Sequence, residues 1–279
     1  MRLHELHINN FRKLKDCRIK FRDTTFLIGP NNSGKSSVFS AIDHFHKNSN
    51  LDREDYSKEY SEEEDSYTYA DEVEIVAEYH NLPNAAHSWI GFKGRVISSQ
   101  NQLNGETGNS IFYKKVWSLN QSKPKIFMKE YPRTRSELYA ECRKVSDLVG
   151  EHYSEVFLKE HFGEANFDKN LTVAATKSKL LDLPECWDIQ INEEATWVEN
   201  PGGIPGNVLS KLAIIVVIPA ESCISELTSP GGALFTLLGG LFDQVRSNSE
   251  NYAQAQAFLN NLASELNPND ETTDFGQLI

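Results

Sequence analysis

Long apolar runs are absent from these 279 residues. No stretch approaches the roughly eighteen apolar positions that a membrane-spanning helix needs. The N-terminus carries Arg2, His4 and Glu5 where a signal peptide needs an apolar core, so residence in the cytoplasm is the expectation. Cysteine is sparse: Cys17, Cys142, Cys186 and Cys223 lack paired spacing, which argues against a zinc site or a disulfide framework and predicts buried thiols. The histidines show no ligand spacing either. His44 and His46, two apart on a predicted helix, point to different faces, and His152 and His161 lack neighbours. Bases are outnumbered, 28 against 40 acids, for a net charge of −12. Much of that deficit is local, because Asp52 to Glu72 holds ten acids and two bases, the composition of a solvated loop. Elsewhere Arg12-Lys13-Leu14-Lys15 continues to Arg18, Lys20 and Arg22, and further clusters stand at Lys114-Lys115 and from Lys123 to Arg135. These permit contact with a phosphate backbone without requiring it.

What is present is enough apolar surface, 39% of residues, to bury a sizeable core in one large or two modest domains. Within it, Gly29-Pro-Asn-Asn-Ser-Gly-Lys-Ser36 fits the pattern G-x-x-x-x-G-K-[ST]. Thr25-Phe26-Leu27-Ile28 predicts a short buried strand entering the loop, and Val38, Phe39, Ala41, Ile42 and Phe45 a helix leaving it. Each residue type suits a bound triphosphate. Gly29 and Gly34 allow backbone N–H groups to converge, the helix N-terminus adds partial positive charge, Lys35 reaches the β- and γ-phosphates, and the Ser36 hydroxyl is placed for Mg²⁺. ATP and Mg²⁺ are the expected cofactors, with no metal indicated beyond the nucleotide's own.

The loop is followed by Ser37 and preceded by Leu6-His7-Ile8-Asn9-Asn10-Phe11-Arg12. This combination resembles the ABC-type ATPase heads of the RecF and SMC proteins, and most closely the overcoming-lysogenization-defect (OLD) family of ATP-dependent endonucleases. There, I-x-N-F-R precedes G-x-N-x-[SA/G]-G-K-[ST], and Asn31, Asn32 and Ser33 fill the variable places here. Ile214-Ile215-Val216-Val217-Ile218-Pro219-Ala220 is a weaker similarity, to a strand ending in I-P-A. The resemblance implies an ATPase module regulating a DNA endonuclease in anti-phage defence, its Toprim nuclease lying outside these residues. It also implies DNA as partner, a homodimer or higher homo-oligomer, and compatibility with a partner protein or RNA. It places Arg12 near the nucleotide, the alternative being a surface arginine at a strand end. A RecF- or SMC-like repair ATPase without nuclease and a non-catalytic, nucleotide-dependent interaction module remain alternatives.

Two parts of such an ATPase are missing. No apolar strand ends in Asp-Glu to hold Mg²⁺, since Ala213 to Ile218 runs into Pro219-Ala220-Glu221, with Ser222 where the family often has an arginine nearby. Ser229-Pro230-Gly231-Gly232 is a poor signature sequence and reads as a loop entering a helix. Either a longer protein supplies the remainder, which the unpunctuated ending at Ile279 favours, or this segment binds nucleotide without turning it over alone.

The expected fold is α/β: an ABC-type P-loop ATPase lobe with an antiparallel subsheet over 1–130, a helical insertion and loop over 131–212, and a return strand with a C-terminal helical hairpin over 213–279. Strands are predicted at Leu3 to Ile8, Cys17 to Phe21, Gly91 to Ser98, Ser110 to Leu119 and Lys125 to Glu130. Another, around Val73, Ile75, Ala77 and Tyr79, has Glu72, Glu74, Glu78 and His80 on a wet face. The insertion predicts a helix capped by Thr134 with Leu138, Cys142, Val145, Leu148 and Val149 on one side, and a second from Ser154 to Phe162. Leu171 to Leu183 is ambiguous, Asn200 to Gly206 is a loop, and Trp187 and Trp197 read as core anchors. Leu234, Leu237, Leu238, Leu241, Phe242 and Val245 draw one helical stripe, and Ala255, Phe258, Leu259, Leu262, Ala263 and Leu266 a second. Gly239-Gly240 inside the first stripe predicts close packing there. The hairpin either packs on its own domain or forms the subunit interface that the resemblance implies.

Overall fold

The computed structural model describes residues 1–47, 49–62, 65–98, 108–213, 215–218, 229–230, 232–248, 251–252 and 254–258. It divides into two compact units, 1–214 and 215–279.

The first unit is built on a six-stranded antiparallel sheet. Its strands are β1 (Arg2–Phe11), β2 (Leu14–Lys20), β5 (Glu72–Leu82), β6 (Asn109–Ser118), β7 (Lys125–Glu130) and β10 (Thr196–Glu199), in the order β10-β7-β6-β5-β1-β2. Alternation with period two puts Leu6 and Ile8, then Val73, Ile75, Ala77 and Tyr79, then Ile111, Tyr113 and Trp117, all fully buried, into a continuous core. Helix α1 (Lys35–His46) buries Val38, Ala41, Ile42 and Phe45. Its contacts with the sheet include Phe45 edge-on to Tyr113, with ring centroids 5.2 Å apart. Burial of such apolar side chains stabilises by about 1.5–3 kcal/mol each.

The acidic segment is not an unstructured loop. Between a short turn at Arg53–Asp55 and β5, it folds as a hairpin of β3 (Lys58–Ser61) and β4 (Ser66–Tyr69), and Arg53 lies 4.4 Å above the Tyr69 ring. Cation–π pairing and cross-strand tyrosines give this charged stretch a reason to order.

The insertion has its own core of Tyr139, Val145, Leu148, Tyr153, Leu158, Phe162, Leu171, Leu180, Leu183 and Cys186. Its regular elements are β8 (Arg133–Arg135), α2 (Glu155–Phe162), α3 (Ala174–Leu180) and β9 (Trp187–Ile189), and α4 (Pro205–Leu209) follows β10. Ser154 caps α2, its Oγ accepting from the Phe157 N–H at 3.3 Å. The ambiguous stretch from Leu171 resolves into α3, and Asn200 to Gly206 begins as a turn that Asn200 closes by donating to the Gly203 carbonyl at 2.7 Å.

Several expectations are corrected. Thr25 to Ile28 pairs with no strand among the described residues, and Phe26 and Ile28 are 80% and 93% exposed. An apolar run becomes a buried strand only when a neighbour covers it. Gly91 to Ser98 forms turns, with Gly91 at φ 88° and Gly94 at φ 70°, and keeps one bridge from Ile97 to Ser110. The helix expected from Thr134 is replaced by β8 and two short 3-10 turns, Glu137–Tyr139 and Val145–Leu148. Backbone donors there go to distant carbonyls, Ser136 N–H to Cys186 and Val145 N–H to Lys169, which removes the helical ladder and leaves Leu138 and Val149 exposed. Glu78 and His80 are buried, not wet, and Cys17 and Cys142 are only half-buried while Cys186 is fully enclosed. Trp187 is half-buried against the insertion core, and Trp197, also half-buried, has the Lys114 ammonium 4.7 Å above its ring.

In the second unit, residues 215–218 carry no strand pairing, and Val217 and Ile218 are exposed. Ser229 and Gly232 lead into α5 (Ala233–Asn248), the Gly232 N–H donating to the Ser229 carbonyl at 2.8 Å, as a loop entering a helix should. Among the described residues a Cβ on Gly239 would meet nothing within 4 Å, so the close packing expected there is not made by the described part of this unit. Leu234, Leu237, Leu238, Leu241 and Phe242 are 43–63% exposed. Pro219 to Glu221 and most of the second stripe lie outside the described residues.

Candidate nucleotide-binding site

The β1–β2 hairpin turns at Arg12-Lys13, with Arg12 at φ 51°. The loop from Gly29 to Gly34 lies against it. Lys13 Nζ donates to the Asn32 side-chain carbonyl, and Leu14 packs so tightly that a Cβ on Gly34 would sit 3.0 Å from its Cδ2. Gly34, at φ 93°, caps α1, and Asn32 is also left-handed at φ 70°. Glycine is required at 34 twice over, by its dihedral and by Leu14. At Gly29 a Cβ would approach Ser33 Oγ to 2.9 Å, so a side chain there would displace the exposed Ser33 hydroxyl from its place in the loop.

This arrangement fits a polyphosphate. The first turn of α1 has N–H groups without intrahelical partners and holds no acidic residue, so the positive end of the helix dipole is uncompensated. Lys35 folds back over the loop, donating to the carbonyls of Gly29 at 2.8 Å and Pro30 at 2.6 Å. Its ammonium is thereby stored at the mouth of the turn, on carbonyls that a phosphate oxygen can replace. Asn31, Asn32, Ser33 and Ser36 are exposed, Lys35 and Ser37 half-buried, and Gly34 buried. All the loop residues singled out in the sequence are thus in one turn and the first turn of one helix.

Arg12 is held differently from the loop residues. Its Nε and one terminal nitrogen donate to Asp55 Oδ1 at 2.8 Å, its N–H bonds the Asp55 carbonyl, and Ser57 Oγ donates to its own carbonyl at 2.7 Å. Asp55 is 7% exposed and Arg12 39%, so the guanidinium presents one edge outward from a buried carboxylate. Sequence reasoning missed Asp55, for which no local signal exists.

The far end of α1 is tied to the sheet by side chains the motif does not contain. Lys115 donates to the Phe45 carbonyl at 3.2 Å and to that of Lys47, in a fully buried position where desolvation lowers its pKa to about 8. His46 Nδ1 meets the Ile42 carbonyl at 2.9 Å and its Nε2 meets the Tyr79 hydroxyl at 2.8 Å. Burial lowers the His46 pKa, so the ring is a neutral bridge donating to Ile42 and accepting from Tyr79. Elsewhere, a register shift in β1 between Leu3 and Glu5 brings His4 beside Glu78 and His80 of β5, their ligand-type atoms within 4.8 Å of one another. No spacing along the chain indicates that cluster, because it is made across strands.

A phosphate loop, glycine-capped helix and stored lysine define a P-loop nucleotide-binding protein. The family model described as "AAA ATPase domain" matches residues 1–218, and the chain belongs to that family. Membership places it among ATP-hydrolysing P-loop enzymes. No curated protein matches. Among solved structures, one from a report on the structural biochemistry of ATP-driven dimerization and DNA-stimulated activation of SMC ATPases aligns at 14% identity. It covers 46% of this chain and 69% of its own, with a TM-score of 0.30. No helix among the described residues is long and apolar enough to cross a membrane.

Proposed function

We propose that the chain is an Mg²⁺-dependent, ABC-type ATPase module of the RecF and SMC kind, whose nucleotide state controls the association of two copies and their action on DNA. The observation that carries this reading is the loop itself: Lys35 stored over Gly29 and Pro30 beside an uncompensated helix N-terminus. Backbone N–H groups from Gly29 to Gly34, with Lys35 and Ser37, hold the phosphates, and Ser36 holds the metal, which supplies charge neutralisation. Arg12 turns its open edge to the nucleotide. The half-exposed apolar stripe of α5 supports an interface between copies. Resemblance to the OLD family supports a further role, gating of a nuclease in cytoplasmic anti-phage defence, with a partner protein or RNA in that system.

Titration calorimetry with ATP and Mg²⁺ tests the site. Wild-type protein is expected to bind, with affinity falling on chelation of the metal. Lys35→Ala should lose between about tenfold and a hundredfold, the worth of a charge-assisted contact. Equal affinity in the variant refutes the assignment. ATPase rates with and without DNA then separate a DNA-acting enzyme from an interaction module, and plasmid cleavage reports on nuclease coupling.

A further inference from the structure

At the end of β1 away from the phosphate loop, two imidazoles and a carboxylate meet across strands. Glu78 and His80 alternate with Ala77 and Tyr79 of the core, so they stand on the other face of β5. Strict alternation from Leu6 and Ile8 would put His4 on the core face. The register shifts instead: Leu3 lies opposite Tyr79 and Glu5 opposite Glu78, which makes His4 the extra residue of a β-bulge. Bulges re-aim side chains. This one brings the His4 ring onto that of His80, with centroids 4.1 Å and planes 18° apart. His80 Nε2 meets Glu78 Oε1 at 2.7 Å, and both side chains are only 8% exposed. Each of the three residues offers one ligand atom within 4.8 Å of the others, and among the described residues this is the one group of its kind.

The donor set selects the ion. Imidazole nitrogen suits Zn²⁺ and its neighbours in the first transition row, whereas Mg²⁺ and Ca²⁺ take oxygen ligands. Two histidines and a glutamate are a known set of three protein ligands for zinc, with the fourth position left to water. Tetrahedral bonds of about 2.0–2.2 Å put donors about 3.4 Å apart, so the cluster closes on an ion when its side chains turn through about an ångström. In doing so the His80 ring leaves the His4 stack, and its Nε2 passes any proton it carries to Nδ1 or to solvent.

Charge and access point the same way. Glu5 stands directly opposite Glu78, and like charges so placed destabilise a strand pair. Lys20 Nζ lies 3.6 Å from the Glu5 carboxylate, and a cation on Glu78 would neutralise the more buried member. Glu78 also lines a cleft of about 330 Å³ on this face, together with Glu5, His7 and Arg18, which gives an ion its way in.

We propose that His4, Glu78 and His80 bind a divalent transition metal of the Zn²⁺ class, which ties the bulged N-terminal strand to β5. This site is separate from the nucleotide's Mg²⁺ and independent of the function proposed above.

The test is titration of the full chain, freed of metal by a chelator and without nucleotide, with Zn²⁺ by calorimetry and Co²⁺ by visible absorption. One Zn²⁺ per chain should bind with a dissociation constant below about 10 μM, and Mg²⁺ at about millimolar should not displace it. Bound Co²⁺ should show visible bands of nitrogen and oxygen ligation without the near-ultraviolet band of a thiolate, which separates this site from the cysteines. Glu78→Gln and His4→Gln, close in size to the native side chains, should each weaken Zn²⁺ at least about tenfold. His152→Gln, at an exposed histidine of the insertion, should leave affinity unchanged. Should one ligand variant fail to fold, the other and His80→Gln carry the comparison, and the wild-type titrations need no variant. Absence of saturable Zn²⁺ binding by the wild-type chain overturns the proposal. So does displacement by Mg²⁺, a thiolate spectrum, or undiminished affinity in a folded ligand variant.

Discussion

Lys115 stands in an alternating strand, on the same face as Ile111, Tyr113 and Trp117, and the sequence groups it with surface bases because Lys114 stands beside it. Its burial follows from register: only the core face of β6 is available to it, and the carbonyls ending α1 receive its ammonium. The alternation itself was a signal that could have found it. Because its folded-state pKa is lowered from 10.5 to about 8, the unfolded chain holds a proton that the folded chain has released across that interval. Stability from this group therefore rises with pH between about 8 and 10.5, by an amount on the order of 3 kcal/mol. Denaturant melts across that range should show the rise in wild-type protein and its loss in Lys115→Met. A parallel pH dependence in both proteins would rule out Lys115 as the source. Gly34 shows the opposite kind of residue, legible from the motif alone, since one backbone conformation and one close neighbour leave no alternative.

At the scale of elements, local signals succeeded where the chain supplies its own hydrogen bonds. α1 carries all the apolar positions expected of a helix leaving the loop and α2 emerges within a residue of Ser154 to Phe162, the first opened by Gly34 and the second by Ser154. Ser154→Ala removes an acceptor for the Phe157 N–H and should cost about 1 kcal/mol in thermal or urea unfolding. A loss below a few tenths would mean water replaces the cap. The stretch from Thr134 to Val149 misled because its apolar spacing is helical while its donors are spent on Cys186, Phe167 and Lys169. Periodicity reports which side chains face a core, and different backbone paths satisfy it. Thr25 to Ile28 failed for another reason: β character needs a partner strand, and none of the described strands pairs with it.

For the whole molecule, the proposed two-copy ATPase predicts a change of mass with nucleotide. Light scattering should find wild-type chain shifting towards a dimer when ATP and Mg²⁺ are added, and Lys35→Ala unchanged. A nucleotide-independent mass would sink the proposed coupling while leaving the loop assignment intact. Partial charges explain the expected direction. ATP adds negative charge at the positive end of α1, and a second copy can share that charge only once it is present.

The sequence alone determined the phosphate loop, the helix it opens, most strands of the sheet and the absence of an apolar membrane-spanning stretch, because each depends on residues within a few positions of one another. Tertiary structure decided the clamp of Arg12 by Asp55, the burial of Lys115 and the cluster of His4 with Glu78 and His80. Those contacts join residues separated by tens of positions. Their energy depends on sheet register and exclusion of water, which the chain acquires only when folded.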